Sequence, residues 1–127
     1  MSSPTTPSIA PWLAVRDAQR AVEYYHAAFG AVEVSRLVGD DGILEVAQLS
    51  IGGAAFWVEN DIDASPDRQG LVRMILSVDD PDSVFERAIA AGAAIKAGMH
   101  EEYGWRTGRV VDPFGHDWEM SKQLAPA

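Results

Sequence analysis

Charged and aromatic side chains alternate with apolar ones along four stretches that are typical of β-strands. Because successive side chains of a strand point to opposite faces, the apolar set takes the face that a helix covers, and the other set takes the opposite face. The second set combines indole rings with charges of both signs, a lining that favours flat or cationic organic ligands. Its members are Trp12, Trp57, Glu59, Arg73, Asp117 and Glu119.

Two further candidates lie in the segment 100–106, which the sequence predicts to be a loop between strands. Such a loop is placed to fold over a cavity, so His100 and Trp105 join the candidate ligand-binding residues. An exposed tryptophan also suits a dimer interface, and for Trp12 and Trp105 both interpretations stay open.

Glu119 is the candidate catalytic residue. Paired with Arg73 it would orient a bound ligand, or the two would form a structural salt bridge. A carboxylate in an apolar-walled cavity can also act as a general base if its pKa rises. Other catalytic patterns are missing: the chain has no cysteine, no Gly-x-Ser-x-Gly elbow and no phosphate-binding glycine loop.

The elements that position these residues occur twice. Residues 15–31 are echoed by residues 78–93, and each copy predicts a helix between strands. The first helix is predicted from Ala18 to Phe29 with Asp17 as its N-cap and Gly30 as its C-cap. The second begins at Pro81 and ends at Gly92. The predicted strands are 9–15, 32–38, 43–50, 54–59, 71–78, 94–99, 106–111 and 116–121.

This order predicts an α+β fold built from two βαβββ modules, residues 9–60 and 71–122, with a cavity at their junction. Together they form a single domain, 9–122. The polar, proline-containing residues 1–8 are expected to be a flexible arm, and 123–127 a tail.

The net charge and the lengths of apolar runs bear on the partners and the location of the chain. The chain has 127 residues and a formal net charge of −9, which argues against nucleic-acid phosphates as a partner. No apolar run approaches the length of a membrane span, and the start lacks the features of a secretion signal. A cytoplasmic protein is therefore expected.

Two segments of the sequence carry a family pattern. One is Pro-Trp-Leu-Ala-Val-Arg-Asp, residues 11–17, with the Ala-Phe-Gly of 28–30. The other is Gly-Trp-Arg-Thr-Gly-Arg-Val-Val-Asp-Pro-Phe-Gly-His-Asp-Trp-Glu, residues 104–119. Both segments resemble the vicinal oxygen chelate superfamily, which includes glyoxalases, bleomycin-resistance proteins and extradiol dioxygenases, and the second is similar to its PhnB-like branch. The resemblance covers residues 9–121. It implies an incomplete eight-stranded barrel around a central cavity, usually in a homodimer, and leaves open whether modules pair within one chain or between chains.

The resemblance also raises the question of a metal. Metal-dependent members place one ligand on each of four strands, and the corresponding positions here are Ala10, Trp57, Arg73 and Glu119. Only Glu119 can donate a lone pair to a metal, whereas a catalytic zinc normally has three protein ligands. We therefore expect no metal and no cofactor. A site improvised from His100, Glu102 and Glu119 stays open.

These observations favour a small-molecule binding protein that resembles bleomycin-resistance proteins and sequesters an organic ligand. The alternative is a lyase or dioxygenase-type enzyme that uses Glu119 with an unrecognised metal or acid–base arrangement. The expected partners are a small organic ligand and a second copy of the chain.

Overall fold

A computed structural model describes residues 8–69 and 72–124 of the chain. The two predicted modules are present, each as one strand, one helix and three further strands, and a short 3₁₀ helix, Pro66–Arg68, lies between them. The first module contains β1 (Trp12–Val15), α1 (Ala18–Phe29), β2 (Val32–Val38), β3 (Leu44–Ile51) and β4 (Ala54–Asn60). The second contains β5 (Arg73–Ser77), α2 (Pro81–Ala91), β6 (Ala94–Glu102), β7 (Trp105–Val111) and β8 (Asp117–Gln123).

Both helices begin and end at the predicted residues. The side chain of Asp17 accepts a hydrogen bond from the Arg20 N–H at 3.1 Å, and Asp80 does the same for Ser83 at 3.1 Å. Each side chain thereby satisfies an N–H group that has no partner within the helix. Gly30 follows α1 with a φ of 70°, a left-handed conformation that costs glycine little. The capping predictions are confirmed.

Several strand boundaries differ from the prediction, and the differences in β1 and at the hairpin of β6 and β7 bear on the site. Strand β1 begins at Trp12 rather than Ile9, after Pro11, which has no N–H to donate. Strand β6 continues to Glu102 and β7 begins at Trp105, so the predicted loop over residues 100–106 is wrong. The chain reverses there through Tyr103 and Gly104, both with positive φ, which makes a tight hairpin instead.

The eight strands form two four-stranded sheets in the orders β1-β4-β3-β2 and β5-β8-β7-β6. In each sheet the first strand of the module pairs in parallel with the last, and the remaining pairs are antiparallel. The α+β architecture of two βαβββ modules is confirmed.

The helix-covered sides of the two modules share one core. The ring of Phe56 on β4 lies 5.5 Å from that of Trp118 on β8, and Tyr25 of α1 contacts both at 5.3 and 5.5 Å. All three side chains are buried, and the two helices contact each other. Because both modules bury their helix sides together, the opposite faces of the two sheets are open in a single chain. We call these the open faces.

The buried carboxylate of Asp112 links several elements of this core through hydrogen bonds. Asp112 accepts hydrogen bonds from the Tyr25 hydroxyl at 2.5 Å and from the Trp118 indole N–H at 2.9 Å. It also accepts the backbone N–H groups of Phe114 and His116 at 2.9 and 3.0 Å. Four donors compensate for the cost of burying the charge, so one side chain joins α1, β8 and the turn between β7 and β8.

His116 supplies a second link between the modules. It is buried, and its Nε2 lies 2.9 Å from the carbonyl oxygen of Ala14 on β1. The sequence predicts that His116 holds the turn before it in place. The structure shows in addition that its side chain contacts β1 of the other module.

The predicted arm and tail lie mostly outside the described residues. Residues 1–7 of the predicted arm and 125–127 of the predicted tail lie outside the described residues, while Gln123 belongs to β8. Within residues 8–69 and 72–124, no helix has the length and apolar character needed to cross a membrane.

Candidate functional site

An indole pair occupies the open face of the first sheet. The parallel pairing of β1 with β4 sets Trp12 beside Trp57, and their rings stack with centroids 5.9 Å apart at 27°. The Trp12 indole N–H donates to the Glu59 carboxylate at 3.0 Å. Trp12 remains 53% exposed, so the pair presents a wide aromatic surface to whatever covers this face.

An ion pair occupies the open face of the second sheet. Strands β5 and β8 run in parallel, and an Arg73 guanidinium nitrogen lies 3.3 Å from the Glu119 carboxylate. Ile75 follows on the same face, and 60% of its surface is exposed. The predicted pair of Arg73 and Glu119 therefore exists, next to apolar surface that a single chain leaves uncovered.

Two basic residues that the sequence reasoning missed complete this charged group. Arg109 on β7 and Lys96 on β6 bind the carboxylate of Asp117 at 2.6 and 2.8 Å. Burial alone would raise the pKa of Asp117, but the hydrogen bonds from Arg109 and Lys96 outweigh it and hold the pKa below its ordinary value. Strand alternation along residues 105–111 was the available signal for Arg109, whereas an irregular register in β6 hides Lys96.

The other two candidates also lie on the second open face. His100 pairs with Thr107, and Trp105 pairs with Glu102, across the hairpin of β6 and β7. The two ring nitrogens of His100 contact the Gly98 carbonyl at 2.8 Å and the Glu102 carboxylate at 3.3 Å. The contact with Gly98, followed by that with Glu102, raises the pKa of His100.

A buried hydroxyl on this face has no partner among the described residues. The Oγ1 of Thr107 is buried, and no hydrogen bond reaches it within residues 8–69 and 72–124. Thr107 lies between His100 on β6 and Ser121 on β8 in the strand register.

The structure places the six predicted ligand-binding residues on the open faces, in two groups. Trp12 and Trp57 lie on the first sheet. Arg73, Glu119, His100 and Trp105 lie on the second. A recess of about 490 Å³ at the boundary between the modules is lined by both Ala10 and Arg73.

The donor set does not fit a divalent metal. Of the four positions that correspond to metal ligands, Ala10 and Trp57 offer no lone pair, and Arg73 is a permanent cation that binds Glu119 itself. In the part of the chain that the structure describes, no three His, Cys, Asp or Glu side chains form a group that could hold a metal. His100, Glu102 and Glu119 therefore do not assemble the improvised site.

One family profile and several known proteins match this chain over most of its length. The sequence profile of the Glyoxalase/Bleomycin resistance protein/Dioxygenase superfamily matches residues 7–120. An uncharacterized protein of Mycobacterium bovis is 36% identical over 128 residues, covering 93% of this chain and 84% of the relative.

Solved structures agree on the fold. The structure of TioX from Micromonospora sp. ML1 has a TM-score of 0.74 and 29% identity, and covers 94% of this chain and 100% of TioX. A bleomycin-binding protein in complex with bleomycin has a TM-score of 0.70 and 19% identity, with coverage of 92% and 98%. A PhnB protein from Bacillus cereus, at 0.71 and 18% with coverage of 91% and 99%, is one of several further neighbours.

Proposed function

Since the chain belongs to the glyoxalase/bleomycin resistance protein/dioxygenase superfamily, we propose that it is a small-molecule binding protein that sequesters an organic ligand without a divalent metal. The observation that carries this proposal is the stacked pair of Trp12 and Trp57 on an open sheet face. An exposed indole pair gains free energy by stacking on a flat ring, because aromatic surface is removed from water on both sides.

The polar groups of the open faces would orient such a ligand. Glu59 and Glu119 can accept hydrogen bonds, and Arg73 can donate them, so a flat ring bearing both donors and acceptors fits the lining best. Apolar walls with a few placed polar groups are typical of small-molecule sites. The bleomycin-binding protein with its bound drug provides a precedent on the same fold.

A homodimer would convert the two open faces into closed sites. Leu37 on the first sheet and Ile75 on the second are each 60% exposed, beyond what an isolated chain needs. Within one chain the shared helix-side core keeps the two open faces from closing on each other. We therefore propose that each site combines the first module of one copy with the second module of another, which makes two sites per dimer.

The contacts of Glu119 weigh against the enzymatic alternative. Its carboxylate is held in an ion pair with the Arg73 guanidinium at 3.3 Å, as the structural interpretation of the pair expects. Because residues 104–119 resemble the PhnB-like branch, we also propose that the chain belongs to that branch. A cytoplasmic location stays a prediction.

The proposal is tested by native mass spectrometry with three probes that each carry a flat aromatic group: proflavine and bleomycin, which are cationic, and anthraquinone-2-sulfonate, which is anionic. At least one should bind stoichiometrically to protein dialysed against EDTA. Replacing both Trp12 and Trp57 by alanine should weaken that binding about a hundredfold, since stacking on two rings is worth roughly 3 kcal/mol.

The matched control is Tyr103→Asn, which removes an exposed ring at the hairpin tip, outside the candidate ligand-binding residues, and leaves the stacked pair intact. Failure of all three probes to bind, or binding that requires added Zn²⁺, Ni²⁺, Mn²⁺ or Fe²⁺, would contradict the proposal. Metal analysis of the purified protein provides an independent check.

A further inference from the structure

A second cavity lies on the helix side of the molecule, away from the open faces. It has a volume of about 640 Å³, within the usual range of small-molecule sites. The first module, the segment between the modules and the turn before β8 all contribute to its wall. The lining includes Arg16, Arg20, Ile43, Ala64, Pro66 and Phe114. We call it the arginine recess.

The two arginines of this recess have no acidic partner within residues 8–69 and 72–124. Salt bridges between described residues engage Arg36, Arg73, Lys96, Arg106 and Arg109, but not Arg16 or Arg20. The chain nevertheless has 19 Asp and Glu against 10 Lys and Arg. Two unpaired guanidinium groups in one cavity of such an acidic protein form a local site for negative charge.

The polar side chains that line the recess with the arginines make their hydrogen bonds to the backbone of α1 and, among the described residues, none to the two guanidinium groups. Asp17 lines the recess, but its Oδ1 accepts the backbone N–H of Arg20. Asn60 also lines it and accepts the Ala18 N–H at 2.8 Å through its side-chain oxygen. Because side chains already cap these first N–H groups of α1, the attraction for an anion comes from the two arginines rather than from the helix end.

The remaining wall is apolar and is held in place by a close backbone contact. Pro66 forms one side and Phe114 another, and a methyl group added at Gly115 would lie 2.4 Å from the Pro66 carbonyl oxygen. Glycine at this position therefore allows the segment between the modules to lie against the turn before β8. The result is an apolar wall in the same recess as the two arginines.

We propose that the arginine recess binds a small organic anion, with a phosphate or carboxylate group on Arg16 and Arg20 and an apolar body against Pro66 and Phe114. Guanidinium groups bind such oxyanions through paired charge-assisted hydrogen bonds. This site is independent of the one proposed on the open faces, since it uses different residues on the opposite side of the sheets. An anion bound there contacts both modules at once.

The test is calorimetric titration with phenyl phosphate and with benzoate, with amide chemical-shift mapping of the complex. Saturable binding of at least one is expected, with shifts centred on residues 16–20 and 64–66. The double substitution Arg16→Gln and Arg20→Gln should weaken it at least about tenfold, because the charge-assisted contacts are lost. The relative affinities identify phosphate or carboxylate as the preferred head group.

The controls separate charge from shape. The double variant Arg87→Gln and Lys122→Gln removes two cations that do not line the recess and should bind as the wild type does. Benzyl alcohol, which has the ring without the charge, should not bind. No saturation by about 10 mM of either anion, equal affinity in the Arg16/Arg20 variant, or shifts confined to the open faces would overturn the proposal.

Discussion

The hydroxyl of Tyr25 donates a hydrogen bond of 2.5 Å to the carboxylate of Asp112, across 87 residues of sequence. Both residues are buried, and burial followed by the nearby Asp112 charge raises the pKa of Tyr25 well above its ordinary value. Tyr25 comes from α1 of the first module and Asp112 from the turn between β7 and β8 of the second. This contact therefore fixes how the modules share their core, and with it which sheet faces remain open.

Replacing Tyr25 by phenylalanine should lower the free energy of unfolding by about 1–3 kcal/mol, because a buried carboxylate loses one of its donors. Urea denaturation measures this directly. The matched control is Tyr24→Phe. The Tyr24 hydroxyl makes only a 3.4 Å contact with the Ala88 carbonyl, so its removal should cost less stability. Equal effects of the two substitutions would contradict the role given to Asp112.

Replacing Gly115 by alanine should destabilise the protein by at least about 2 kcal/mol, since a φ of 92° and the close approach of Pro66 both disfavour a side chain. Gly53→Ala is the control for the backbone conformation alone. Its φ is 94°, and no atom lies within 4 Å of the added methyl group. Thermal unfolding of both variants isolates the close contact, which should account for the larger loss.

The sequence predicted the modules well because their signals are local. Capping at Asp17 and Asp80, and strand alternation around Trp57 and Glu119, depend on a few neighbouring residues each. Alternation was enough to place Trp12, Trp57, Arg73 and Glu119 on the faces away from the helices, whereas His100 and Trp105 were expected on a loop.

What the sequence did not predict depends on contacts between distant residues. The approach of Lys96 to Asp117 follows from an irregular register in β6, and the shared core follows from Phe56 meeting Trp118. The predicted loop over residues 100–106 is a hairpin because Tyr103 adopts a positive φ, an unusual conformation for a bulky residue. The arginine recess also brings together residues from three separate segments.

Asp117→Asn should destabilise the protein at neutral pH by about 1–3 kcal/mol, because a charged acceptor of three hydrogen bonds is lost. The pKa of Asp117 is lowered in the folded state, so its contribution is complete above the ordinary value of about 3.9. It disappears as the pH falls through the lower folded value.

Urea unfolding of wild type and variant from about pH 7 to about pH 3 should therefore show the difference shrinking with acid. Asp82→Asn is the control, since its ion pair with Arg106 is more exposed and should respond more strongly to added salt. A difference between wild type and Asp117→Asn that stays constant over this range would contradict the pairing with Arg109 and Lys96.

His100 should titrate above its ordinary pKa of about 6.5, since the Gly98 carbonyl and the Glu102 carboxylate favour its protonated form. Glu102→Gln should lower the pKa of His100 while the contact with Gly98 remains. Proton NMR of the imidazole ring across the titration measures both values. A wild-type pKa at or below the ordinary value would show that these contacts do not form in solution.

The most direct test of a site shared between two copies is to mix two defective chains. One chain carries Trp12→Ala and Trp57→Ala, and the other carries Arg73→Ala and Glu119→Ala, each with its own affinity tag. If each site joins the first module of one copy to the second module of the other, the heterodimer purified through both tags has one intact site. It should bind one molecule of the probe with the affinity of the wild type, although each variant alone binds that probe far more weakly. A heterodimer without binding, or a wild-type chain that sediments as a 13.7 kDa monomer, would contradict the account.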